Sequence, residues 1–94
     1  MAAHTQIQPP NQFHFRNPEG WIKWIQRFER YRIATELNLK GDEQQINTLL
    51  YMMGDEVDEI MKSFTFKKDN DKIYEKVKEK LLLILVPHQI LFDN

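Results

Sequence analysis

Few side chains in this 94-residue sequence could do chemistry, and their spacing argues against it. His4, His14 and His88 are scattered, and none sits in a glycine-rich turn or beside a candidate serine. Nucleophilic catalysis needs a nucleophile within hydrogen-bond reach of its base. Asp55, Glu56, Asp58 and Glu59 form an acidic cluster that invites a divalent cation. A calcium loop, however, alternates its oxygen ligands around a central glycine and closes on a Glu. The four acids instead open a predicted helix, where they complement its dipole and face solvent. Gly20, Gly41 and Gly54 stand alone, so no phosphate-binding loop is present. Cysteine is absent, which removes disulfides, thiolate metal sites and thiol nucleophiles together. The expectation is a non-enzyme with no catalytic residue, no cofactor and no metal.

Charge excludes further classes. The formal net charge is −1, so no whole-molecule field draws in nucleic acid or an anionic membrane. Lys23, Arg27 and Arg30 do share one side of a predicted helix, and Lys67 and Lys68 add a second basic spot. Without an arginine-rich tail or a zinc knuckle, a solvated basic face explains them, and nucleic acid is not expected for this segment. The longest apolar run, residues 81–86, is far short of the roughly 20 residues that span a bilayer. Residues 1–10 lack the basic start and apolar core of a signal peptide. The expected location is the cytoplasm, with diffusion into the nucleus open to a chain of this size.

These residues are positioned by helices. Residues 1–12 are polar and carry Pro9-Pro10, which reads as a lead-in. Phe13 and Phe15 alternate with His14 and Arg16, giving a short extended strap with two rings on one face. Asn17-Pro18-Glu19 announces a first helix, which the stripe Trp21, Trp24, Ile25, Phe28 and Tyr31 carries to about Leu37. Gly41-Asp42-Glu43 and Gly54-Asp55-Glu56 each place a turn glycine before an Asp N-cap and a first-turn Glu. Asp42 with Gln45 resembles a capping box. The second helix buries Ile46, Leu49, Leu50 and Met53, and the third Val57, Ile60, Met61 and Phe64. A loop over residues 65–69 precedes a fourth helix, capped by Asn70 or Asp71, with Ile73, Val77, Leu81 and Ile84 inside. Pro87 stops it. The prediction is one domain over residues 13–86, with residues 87–94 as a tail. Its fold is all-α: an irregular, orthogonal four-helix bundle with an N-terminal strap, whose second and third helices look too short to span the first.

The order of these features resembles a known family. Asn17-Pro18-Glu19-Gly20-Trp21 leads into Trp24-Ile25-Gln26-Arg27-Phe28-Glu29-Arg30-Tyr31-Arg32-Ile33-Ala34. Asn47-Thr48-Leu49-Leu50-Tyr51-Met52-Met53-Gly54-Asp55-Glu56 follows, and then Tyr74-Glu75-Lys76-Val77-Lys78-Glu79-Lys80-Leu81. This stretch, from about Phe13 to Leu82, is similar to the N-terminal lobe of the capsid region of Gag from gypsy-type LTR retrotransposons, and to host proteins domesticated from it. The resemblance implies an all-helical lobe that packs against copies of itself. It also implies that Trp21, Trp24, Phe28, Leu49, Leu50 and Val77 are core positions without chemistry. Family members continue into a second helical lobe; this sequence departs from them after Leu82, which implies a lobe truncated relative to a full Gag.

Two function classes follow. In the first, the chain is a self-associating interaction module. Ile22 and Ile33 flank the first helix away from its main stripe, and Arg27 and Arg30 could face the acids around Asp58 of a neighbour. Ile22 and Ile33 could equally be ordinary exposed residues or fold contacts. In the second, the chain is a monomeric adaptor that takes a peptide in a groove between helices. A remnant without selected function is the third outcome.

Overall fold

The computed structural model describes residues 7–63 and 73–87. Among them are four α-helices and no strand: α1 (Trp21–Ala34), α2 (Asp42–Met53), α3 (Glu56–Met61) and α4 (Tyr74–Leu85). Short 3-10 turns at Pro18–Gly20 and Leu37–Leu39 bracket α1. The predicted all-helical class with four helices is therefore present. The predicted Phe64, the loop at 65–69, the Asn70 or Asp71 cap and the tail beyond Pro87 lie outside the described residues.

The aromatic spacing on α1 builds the core. Trp21, Trp24, Phe28 and Tyr31 recur every three or four residues, so their rings form a ladder along one face. Trp21 stacks on Trp24 at 5.8 Å and Trp24 on Phe28 at 5.8 Å. Phe28 then meets Tyr31 at 6.2 Å and Tyr74 of α4 at 6.3 Å. Each such pair adds about 0.5–1.5 kcal/mol beyond its buried area. Leu49 and Met53 of α2, Val57 of α3 and Val77 and Leu81 of α4 close over the ladder, all essentially without exposure. Of the expected core positions, Trp24 and Leu50 are only half-buried.

The first helix stops at Ala34, short of the expected end at about Leu37. At about 100° per residue, a continued helix would place Leu37 roughly 160° from Trp21, facing water. Instead the Thr35 hydroxyl and N–H both donate to the Tyr31 carbonyl, and Glu36 takes a left-handed conformation with φ 64°. That bend, in a region non-glycine residues enter at a cost, swings Leu37 into the core at 7% exposure. Asn17 precedes the 3-10 turn and its side chain forms no cap bond, so α1 proper begins at Trp21.

Two further expectations are corrected. The buried register of α4 is Tyr74, Val77, Leu81 and Leu85, and Ile84 faces out at 43% exposure. The α2 helix, at 12 residues, nearly matches the 14 of α1; only α3, at six, is short.

Gly54 joins α2 to α3. Its φ of 106° is a conformation L side chains rarely adopt, which lets α3 start almost at once. The strap uses the same glycine differently. The Gln12 side chain crosses so close over Gly54 that a Cβ there would collide with it. Phe13 inserts edge-on against Trp21 and Trp24, at 5.7 and 5.9 Å, and Phe15 packs across Phe13 at 4.9 Å. The alternation of rings thus acts as an anchor without forming a strand.

Candidate interaction surface

The outer surface of α1 is organised in strips by helical geometry. Ile22 and Ile33 are eleven residues apart, so they fall within about 20° of each other. Both are exposed, at 38% and 56%. Lys23, Arg27 and Arg30 form the adjacent basic strip, and all three are exposed. Tertiary packing then divides these residues. Ile22 and Arg30 line a groove of about 660 Å³ between α1 and α4, together with Ile25, Gln26, Lys78, Glu79 and Leu82. Arg27 instead borders a recess under the strap, beside Lys23, Trp24 and residues 8–11. Asp58 is exposed on α3, which packs against α2, and Asp55, Glu56 and Glu59 are exposed around it. The structure therefore brings Ile22 and Arg30 together, leaves Ile33 further along the same helix, and puts Asp58 on a different element.

A half-buried polar cluster, which sequence reasoning did not single out, holds the α1–α4 side in place. Glu29 is its centre. One carboxylate oxygen accepts from the Tyr74 hydroxyl at 2.6 Å and from Lys78 Nζ at 2.8 Å. The other accepts from Arg32 Nη2 at 2.7 Å and Nε at 3.1 Å. Arg32 also donates to Gln45 Oε1 at 2.7 Å and lies 4.5 Å over the Tyr74 ring. Gln45, buried on α2, passes the connection to the Lys40 carbonyl at 2.8 Å. Burial pushes the Glu29 carboxyl up, but hydrogen bonds from Lys78, Tyr74 and Arg32 outweigh it and hold the group below its ordinary value. Burial, then the bond to Glu29, lifts the Tyr74 hydroxyl far above the usual phenol range. No buried side-chain nitrogen or oxygen among the described residues lacks a partner, so the buried polar atoms of the cluster are all satisfied. The only sequence signal for it was an acid, Glu29, on the flank of an otherwise apolar and basic helix.

The cap residues also act differently from their predicted roles. Gly41, not Asp42, occupies the N-cap position of α2. The Asp42 carboxylate instead accepts the backbone N–H of Tyr74 at 2.9 Å, capping α4 across the fold. Gln45, its expected capping-box partner, belongs to the Glu29 cluster.

Ion pairs concentrate where the fold needs them. Arg32, Lys78, Glu29 and Glu75 pair among themselves, and Lys62 pairs with Glu59 on α3. Among the described residues no ion pair reaches Lys23, Arg27, Arg30 or Asp58. No group of three or more His, Asp or Glu among the described residues could hold a metal ion. His14 is exposed, and His4 and His88 lie outside the described residues. No described helix is long and apolar enough to cross a membrane. Compared with protein-family models, curated proteins and solved structures, the chain matches none.

Proposed function

We propose that this chain is a Gag-derived protein–protein interaction module that associates with copies of itself and does no chemistry. The observation that carries the proposal is the separation of unmatched charge on one molecule. A basic strip on α1 and an acidic face on α3 both reach the surface, and neither Arg27 and Arg30 nor Asp58 has an ion-pair partner among the described residues. Complementary strips on separate elements suit contact between copies, with Ile22 and Ile33 adding apolar area beside the arginines. The sequence likeness to the N-terminal lobe of the Gag capsid region supports the same reading.

Light scattering on a sizing column, over a concentration series, tests it. Mass should rise with concentration and fall back at high salt, because roughly 1 M salt shortens electrostatic reach to about 3 Å. Charge reversal of Arg27 and Arg30 to Glu should abolish the rise while circular dichroism stays unchanged. A strict monomer at every concentration overturns the proposal. That outcome would favour a second reading, a monomeric adaptor taking a peptide along Ile22, Ile25 and Leu82 in the α1–α4 groove.

A further inference from the structure

We infer that the seat of the N-terminal strap is a peptide-binding site, filled in cis here, that the strap of a second copy can fill in trans. The seat reads an extended segment residue by residue. The Trp24 indole N–H donates to the Asn11 carbonyl. The side chain of the next residue, Gln12, occupies the space that Gly54 leaves by lacking a Cβ. Phe13 then enters the core edge-on between Trp21 and Trp24, buried to 4% exposure. Upstream, Pro9-Pro10 restricts the backbone to extended geometry before docking, so less chain entropy is lost on binding. The chemical class of ligand is therefore an extended peptide of the pattern Pro-Pro-x-x-Phe, and this chain carries one at residues 9–13.

The strap is held by its side chains more than by its backbone. It belongs to no helix or strand, and the indole bond is the one hydrogen bond from residues 7–13 to the helices among the described residues. It folds back onto α1 through a single reversal, closed by the Asn17 N–H donating to the His14 carbonyl at 3.0 Å. Pro18 fixes the chain immediately afterwards. Opening that reversal gives up one hydrogen bond and carries the strap away from its own seat. A strap left in water would expose Phe13 and uncover Trp21 and Trp24, so the open monomer is disfavoured. In an exchanged pair every seat is filled again by an identical segment, and only the reversal differs. A short tether gives the cis strap an effective concentration of about a millimolar, so exchange should appear as protein concentration nears that range.

This inference goes beyond the charged strips of α1 and α3, because the exchanged contacts are apolar. The test is nuclear magnetic resonance on an equal mixture of nitrogen-15-labelled and carbon-13-labelled full-length chain at about millimolar concentration. Isotope-filtered spectra should show contacts from the Phe13 ring of one molecule to the Trp21 and Trp24 indoles of another, and these should persist at high salt. Arg16→Pro forces Phe15 away from the turn conformation, and it should raise the exchanged fraction several-fold. Wild-type contacts that are purely intramolecular at this concentration, in a monomer or in any oligomer that forms, overturn the inference. Salt-sensitive oligomers without intermolecular Phe13 contacts would sink this inference and leave the charge-strip proposal standing. Salt-resistant exchanged dimers would do the reverse.

Discussion

Replacing Glu29 with glutamine keeps the shape of the side chain and removes the charge on which the α1–α4 contact converges. Glu29 uses one oxygen for Tyr74 and Lys78 and the other for Arg32. A glutamine has a single acceptor oxygen. If that oxygen keeps Arg32, its NH2 group faces the Lys78 ammonium and the Tyr74 hydroxyl. A hydrogen bond to a charged group contributes about 1.5–3 kcal/mol. Lys78 and Glu29 retain 25% and 27% side-chain exposure, so water re-solvates part of what is lost. The net cost should be about 2 kcal/mol, or a melting-temperature drop of about 8–16 °C for a domain of this size. Urea titration and thermal denaturation at neutral pH measure it. The pH dependence supplies a second check. The folded Glu29 carboxyl titrates below its ordinary 4.5, so its contribution is present above that value and is lost as pH falls through the folded pKa. The substituted amide does not titrate, so the gap between variant and wild type should be full at neutral pH and should close in acid. A gap under about 0.5 kcal/mol at neutral pH, or one that widens on acidification, would refute the reasoning.

Two other substitutions isolate single interactions. Asp42→Ala should cost about 1 kcal/mol and speed amide exchange in the first turn of α4 rather than α2, because the carboxylate caps Tyr74; hydrogen exchange followed by mass spectrometry reads the location. Gly54→Ala should cost about 2 kcal/mol in urea titration, from its positive φ and the collision with Gln12, and adding Gln12→Ala should recover only the collision part.

The helices are legible in the sequence because their signals are local. Apolar spacing of three and four residues from Trp21 to Tyr31 and from Ile46 to Met53 is enough to specify a helix and its inner face. The exposed strip of Ile22 and Ile33 and the basic strip of Lys23, Arg27 and Arg30 are legible for the same reason, since both are positions on one helix. Tertiary packing decides what periodicity does not encode. In the all-apolar run Leu81 to Val86 every register looks alike from the sequence, and tertiary packing buries Leu85 while leaving Ile84 exposed. Leu37 lies off the apolar stripe that a continued α1 would present, and it reaches the core only because Glu36 breaks that helix. Glu29 meets Tyr74 and Lys78 across 45 and 49 residues, and Asp42 meets Tyr74 across 32. Such pairs carry no spacing rule, because the distance between their side chains is set by how helices cross and not by how many residues separate them.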